Sequence, residues 1–389
     1  EDDLYKNYKE FFVAKVPAIE KDSTADHFGY EEYHAPSTSE FLKDILANRY
    51  FLQGEEAKSF LMNNQLSDLR YNPNLDLAKK LEAFFNKKDK TQFEQEIIAK
   101  NINDVGNTAS FFNVLYGDFA MRSGDFERAK TFYEKGSDFS GIPLSEGIYD
   151  YNTGEYVKIA DPSKVYNGFN NISSLIFGHN HLVSYGSPEN EMMKAEQFVS
   201  EFPFIKANMN KLELSSALLQ LKKVAAGKDE KAAKANQLIG NLLYNTSALG
   251  YYRQVFVMDI DNSPFQFYYK NYSSNVFIAT DNFDLAIGFY KKALQNTLDK
   301  EQKARILFQM ASAEQGKYYQ YEAKNTFNAN YDDPDWSKKQ DEWMKNMDQS
   351  KNQKYRTYFA ELKKNYAETQ TSKGLQGTCS YYDYFMKKN

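Results

Sequence analysis

The chain has 389 residues, enough for two or three domains or for one extended array of repeats. Its net charge of −5, without a long run of basic residues, excludes a surface built to neutralise nucleic-acid phosphates. A single cysteine, Cys379, excludes an internal disulfide and a cysteine-rich zinc site, and no apolar stretch approaches the ~20 residues of a membrane span.

The first part of the chain predicts helices. Ser37 and Glu40 have the spacing of a capping box, in which each side chain bonds to a free backbone N–H of the other's turn. The stretches 55–66 and 75–85 carry apolar residues at helical spacing. We therefore predict an N-terminal helical segment over residues 1–105.

One stretch predicts β-structure. Residues 147–159 (GIYDYNTGEYVKI) alternate in hydrophobicity and turn at Asn152-Thr153-Gly154, which is the pattern of a β-hairpin. Glycines and prolines make the residues that follow irregular. We therefore predict that residues 142–190 form an insertion in an otherwise helical body.

The stretch 236–256 (NQLIGNLLYNTSALGYYRQVF) begins as a helix. Glycine in a helix interior costs about 0.5–1 kcal/mol relative to alanine, so Gly240 needs a packing reason. We predict that it lies on the inner face of a helix over 230–244 and touches an adjoining helix that begins at 251–253, with at least one tyrosine buried. Replacing Gly240 with leucine should overpack this seam, whereas Asn241→Ala should cost little stability.

The C-terminal part, residues 331–389, is predicted to be a helical cap. Five apolar residues in it share one face of a single helix: Tyr355, Tyr358, Phe359, Leu362 and Tyr366.

Residues 111–136 (FFNVLYGDFAMRSGDFERAKTFYEKG) resemble a tetratricopeptide repeat, a helix–turn–helix unit of about 34 residues. The resemblance is carried by Gly117, Gly124, Ala129 and Tyr133. A small residue at the first position lets the paired helix approach, the second glycine permits the turn, and the tyrosine fills the gap to the next unit.

Two later stretches resemble further units of this kind. Residues 281–294 are similar to a second helix, and residues 303–321 are similar to the first helix of the next unit. The resemblance implies an all-α fold, namely a degenerate tetratricopeptide-like helical solenoid with a small β-hairpin or irregular insertion. The repeats would occupy residues 106–330.

Residues 233–253 and 358–385 also resemble large tetratricopeptide-type proteins of the Bacteroidota cell envelope, many of which are outer-membrane lipoproteins. This resemblance implies an outer-membrane-associated or periplasmic location. The chain begins at Glu1 rather than at methionine, so we expect a processed or truncated product that corresponds to the C-terminal half of such a protein.

The first helices of tetratricopeptide repeats line a concave groove with the side chains that face away from the packing seam. The resemblance therefore implies a polar groove for a protein partner. Its candidate residues are Asp118 and Arg122 in one repeat and Gln237, Asn241, Tyr244 and Asn245 in another.

Few patterns point to chemistry. His179 and His181 would face the same side of a strand, as metal ligands can, but they are only two. The acidic stretches 259–262 and 332–335 lack the glycine and glutamate of a calcium loop, so they predict solvated turns. No phosphate-binding glycine loop, nucleophile elbow or zinc-protease motif occurs. We therefore predict a chain without enzymatic activity, cofactor or bound metal.

Three functional hypotheses follow. The first is a non-catalytic helical-repeat scaffold that binds a protein partner in the cell envelope. The second is a surface glycan-binding lipoprotein similar to the starch-utilisation binding proteins, with stacking platforms among Tyr149, Tyr151, Tyr156 and Tyr185. The third is a metal-dependent hydrolase built on the histidine pair, which elemental analysis would decide.

Overall fold

The computed structural model describes residues 38–71, 74–101, 105–166, 168–180, 199–256 and 283–388. These residues are mostly helical, with two short antiparallel strand pairs, which confirms the predicted all-α fold with a small insertion. They separate into two compact units. Residues 38–69 and 74–106 belong to the first unit, and most residues after 106 belong to the second.

The described part of the first unit contains helices α1 (Thr38–Leu52), α2 (Glu56–Asn63), α3 (Leu75–Asn86) and α4 (Gln92–Asn101). Helix α2 packs against the other three, and its core includes Phe60, Leu77 and Leu81, all fully buried. Their apolar spacing explains why these stretches are helical. The capping box predicted at Ser37 lies outside the described residues.

The second unit contains a longer series of helices: α5 (Thr108–Arg122), α6 (Phe126–Lys135), α7 (Lys211–Ala225), α8 (Glu230–Asn245), α9 (Phe283–Asn296), α10 (Lys300–Lys324), α11 (Trp336–Lys354), α12 (Thr357–Asn365), α13 (Gln370–Leu375) and α14 (Ser380–Lys388). From α5 to α10 each helix packs against the next one along the chain. The connections α5–α6, α7–α8 and α9–α10 are short, so each of these pairs forms a helical hairpin.

Side-chain caps fix where several of these helices begin. Each cap accepts a hydrogen bond from a backbone N–H of the first turn, which helps to satisfy donors that have no partner inside the helix. The capping residues are Asn107, Asp125, Asn210, Asp229 and Asp299. Asn210 and Glu213 complete a capping box at the start of α7.

The predicted β-hairpin is confirmed and is longer than predicted. Strands β1 (Ile142–Asp150) and β2 (Glu155–Tyr166) pair antiparallel, and Gly154 adopts a φ of +70° at the turn. A second pair, β3 (Ile172–Ser173) with β4 (Asn208–Met209), ties the insertion back to the residues before α7. Residues 181–190 of the predicted insertion lie outside the described residues.

One packing arrangement occurs twice in the second unit. A Cβ on Gly117 of α5 would lie 2.3 Å from the ring of Tyr133 on α6, and a Cβ on Gly240 of α8 would lie 2.6 Å from the ring of Tyr290 on α9. In both cases the tyrosine hydroxyl bonds to the residue that follows the glycine. The prediction that Gly240 touches an adjoining helix is therefore confirmed.

The predicted identity of that adjoining helix is wrong. Tyr251 and Tyr252 are half-buried in a turn, Arg253–Phe256 is a short 3-10 helix, and the helix that covers Gly240 is α9. The chain reverses after α8 because the N–H of Tyr252 bonds back to the carbonyl of Asn245 at 2.9 Å. This turn prevents a new α-helix from starting at residue 251.

The prediction of a single helix through Tyr355 and Tyr366 is also wrong, because helix α11 ends at Lys354 and a new helix, α12, begins at Thr357. Glu314 of α10 accepts hydrogen bonds from the hydroxyl of Thr357 and from the N–H of Tyr358 (3.4 Å), and these bonds start a new helix. Phe359 and Leu362 are buried as the stripe predicts. No helix among the described residues is long and apolar enough to cross a membrane.

Candidate functional site

The inner face of α8 holds a segment of the same chain, residues 172–180. The amide of Asn241 donates to the carbonyl of Phe177 at 2.9 Å, and the amide of Asn245 donates to the carbonyl of Ile176 at 3.0 Å. The side chains of Ile176 and Phe177 are fully buried. The part of the groove that the sequence assigns to a partner is therefore filled by the insertion.

Tyr290 of α9 and Asn180 extend this hydrogen-bond network across the helices. The hydroxyl oxygen of Tyr290 lies 2.6 Å from Oδ1 of Asn180 and 2.9 Å from Oδ1 of Asn241, and the amide of Asn180 donates to the carbonyl of Gln309 on α10 at 3.0 Å. Burial raises the pKa of Tyr290 well above its usual range, so the group stays a neutral hydroxyl at physiological pH. Asn180, which belongs to the insertion, thus links α9 with α10.

A chain of glutamine side chains runs from this network towards the surface. The amide of Gln302 donates to Oε1 of Gln237 at 2.7 Å, and the amide of Gln237 donates to Oε1 of Gln309 at 2.7 Å. The amide nitrogen of Gln309 lies 3.3 Å from Nδ1 of His179. Each side-chain amide is hydrogen-bonded to the next, so these polar groups keep partners in the partly buried seam between α8 and α10.

The outer end of the glutamine chain opens into a cleft of about 380 Å³, which we call the α8–α10 cleft. All but one of its lining residues are of polar or charged type: Glu201, Glu230, Ala233, Lys234, Gln237, Thr297, Asp299, Gln302 and Arg305. Lys234 forms an ion pair with Glu201. Arg305 is exposed on the cleft wall, and its positive charge helps to lower the pKa of Glu301 on the same helix.

A buried ion pair lies between α5 and α7. Nζ of Lys211 is 2.7 and 2.8 Å from the two carboxylate oxygens of Asp118 and 2.7 Å from the carbonyl of Val255, and the hydroxyl of Tyr133 donates to Asp118 at 2.7 Å. Burial raises the pKa of Asp118 to about 6 against the attraction of Lys211, and burial lowers the pKa of Lys211 against the attraction of Asp118. These four groups belong to α5, α6, α7 and the turn at 253–256, so the cluster links these elements to one another.

All six predicted groove residues are buried: Asp118, Arg122, Gln237, Asn241, Tyr244 and Asn245. Of these, only Gln237 borders the α8–α10 cleft. The ring of Tyr244 packs edge-on against Phe283 of α9, with centroids 6.3 Å apart. A role for these residues in binding a partner stays a prediction. Sequence reasoning missed Gln302, Arg305 and Gln309, although their spacing of three and four residues marks one face of a helix.

The burial of Asn241 reverses the expectation that Asn241→Ala would cost little stability. Because Asn241→Ala leaves the Phe177 carbonyl and the Tyr290 hydroxyl with fewer partners, we expect the free energy of unfolding to fall by about 1–3 kcal/mol rather than hardly at all. Urea denaturation followed by circular dichroism measures this. The control is Asn113→Ala, whose amide bonds only within its own helix and which should change stability by less than about 0.5 kcal/mol. Equal costs for the two variants would contradict the buried network.

The other candidate sites are solvated turns or lie outside the described residues. Asp333 accepts from the N–H of Asp335 at 2.9 Å and pairs with Lys339, which is the bonding of a turn. His181 and residues 259–262 lie outside the described part. Among described residues, no group of three or more histidine, cysteine, aspartate or glutamate side chains is placed to hold a metal ion.

Comparison with protein families, with curated proteins and with solved structures finds no match to this chain.

Proposed function

We propose that the chain is a non-catalytic helical-repeat scaffold that holds a protein partner in a bacterial cell-envelope complex. The observation that carries the proposal is the series of helical hairpins α5–α6, α7–α8 and α9–α10, each packed on the next. The same contact between a helix glycine and a tyrosine ring joins α5 to α6 and α8 to α9, which supports a repeat origin for these two helix pairs. The envelope location rests on the sequence resemblance to envelope proteins.

The α8–α10 cleft is the surface that we assign to the partner. Its walls carry both charge signs, and Gln237 and Gln302 are already ordered by their mutual hydrogen bond. An ordered polar wall loses little conformational entropy when a partner binds. Leu298 is 82% exposed, lies between cleft residues Thr297 and Asp299 in the chain, and supplies an apolar contact at the rim.

Site-specific photo-crosslinking tests this proposal. A photoreactive phenylalanine derivative at position 302, in the chain expressed in its own organism, should give one dominant protein adduct. The same group at Lys292, exposed on α9 and outside the cleft, should give none. Arg305→Glu should reduce the adduct about tenfold, because it reverses a positive charge on the cleft wall. Adducts of equal yield at both positions, or no adduct, would count against a partner in this cleft.

The alternative is a surface glycan-binding protein, and the end of the β-hairpin favours it. Tyr151 is 91% exposed and Tyr149 is 41% exposed, with ring centroids 5.1 Å apart. Exposed tyrosine rings can stack on sugar rings. Retardation in polysaccharide gels that disappears in Tyr149→Ala and Tyr151→Ala would favour this alternative over the scaffold.

A further inference from the structure

Both tryptophans of the chain lie in one aromatic cluster at the surface. Phe327 lies 5.7 Å from Trp336 and 5.8 Å from Trp343 between ring centroids, and Tyr331 lies 5.2 Å from Trp336. None of the four rings is buried, and Tyr331 is 79% exposed. We call these four residues the aromatic surface. Large rings left at the surface together are characteristic of binding sites.

The aromatic surface lies on a part of α11 that has little of the protein to pack against. Met347 is the only buried residue among the 19 of this helix. The C-terminal half is held by Tyr321, whose hydroxyl is 3.3 Å from Ser350, and by Tyr384, which bonds to Asp348 at 2.9 Å. The N-terminal half, where both tryptophans lie, is held mainly by the preceding loop. The indole N–H of Trp343 donates to the carbonyl of Asn325 at 2.7 Å, and the rings of Phe327, Trp336 and Trp343 stay partly exposed beside the exposed Tyr331.

An acidic turn borders the aromatic surface and is already ordered. Asp333 accepts from the N–H of Asp335 and pairs with Lys339, and the N–H of Trp336 bonds to the Asp333 carbonyl at 2.9 Å. Asp332 and Asp335 are exposed and form no ion pair with a described residue. Residues 331–343 contain five carboxylates and two lysines, a net charge of −3.

We propose that the aromatic surface and its acidic turn bind a cationic segment of a partner protein, one rich in arginine or lysine. Guanidinium and ammonium groups are attracted to the faces of tryptophan and tyrosine rings, and the exposed carboxylates of Asp332 and Asp335 add ion pairs at the rim. The negative charge disfavours an anionic membrane, and a neutral glycan would gain nothing from it. This inference rests on the proposed scaffold function and adds a second contact to it.

Tryptophan emission gives a direct test, because both tryptophans of the chain lie in this surface. Titrating the full chain with a short arginine–glycine peptide at low salt should change the emission saturably, and the affinity should fall as salt is raised. Asp332→Asn with Asp335→Asn should weaken binding about tenfold. Neither carboxylate caps a helix through its side chain, so the variant should fold. Tyr331→Ala should also weaken binding, while Tyr331→Phe should retain it.

The matched control removes the same charge elsewhere. Asp89 and Glu368 are both exposed, and Asp89→Asn with Glu368→Gln should leave peptide affinity unchanged. The proposal fails if the emission does not respond, if this control weakens binding equally, or if cellohexaose produces the larger response, which would assign the surface to glycans. Crosslinking in the α8–α10 cleft does not involve these residues, so either result can fail without the other.

Discussion

Replacing Asp118 with alanine is expected to lower the free energy of unfolding by about 3–5 kcal/mol, the largest effect of any single exchange proposed here. The variant leaves the ammonium of Lys211 fully buried and removes the two carboxylate oxygens that lie within 2.8 Å of it. Lys211→Met should lower the free energy of unfolding by a similar amount, because it leaves the carboxylate of Asp118 buried beside Tyr133 without its cation. Urea denaturation of each variant measures the change.

The control is an exposed ion pair that also involves a lysine of α7. Lys222 of α7 lies 3.3 Å from Glu127 of α6, and both side chains are largely exposed. Lys222→Met should therefore change stability by about 0–1 kcal/mol. A double variant, Asp118→Leu with Lys211→Met, should cost much less than the sum of the single exchanges, because it removes both charges. Additive costs would show that the two groups do not stabilise each other.

The helical fold was predictable because its signals are local. Asn210 with Glu213 and the stripe through Phe359 and Leu362 mark helix starts and buried faces within a few residues of chain. The break before α12 was not predictable in this way, since it depends on Glu314, which lies 44 residues from Tyr358. A helix that is capped by a distant side chain carries no local sign of that cap.

The candidate site was harder to predict for a related reason. Asn241 and Asn245 have the spacing of one helix face, and that spacing is the same whether the face meets solvent, a partner or the chain itself. Their actual acceptors are the backbone carbonyls of residues 176 and 177, and backbone carbonyls are present at every position. The need for a close neighbour at Gly240 was predictable, while the identity of that neighbour depended on how the chain returns after residue 246.

Replacing Gly240 with leucine is expected to lower the free energy of unfolding by about 1–3 kcal/mol or more. Even the first added carbon, Cβ, would lie 2.6 Å from the ring of Tyr290, well inside van der Waals contact. The ring cannot move aside cheaply, because it is fully buried and its hydroxyl is held between Asn180 and Asn241. Overpacking must therefore separate α8 from α9 or break these hydrogen bonds.

Gly288 of α9 provides the matched control, since it is also a helix-interior glycine but a Cβ there meets no atom within 4 Å. Gly288→Ala should raise stability by about 0.5–1 kcal/mol, because alanine is the better helix former. Gly240→Ala should lower stability despite the same gain in helix propensity. If the glycine-to-alanine exchange lowers stability at position 240 and raises it at position 288, the contact with Tyr290 is the cause of the difference. If Gly240→Ala were as stabilising as Gly288→Ala, the close packing of α8 on α9 would be refuted.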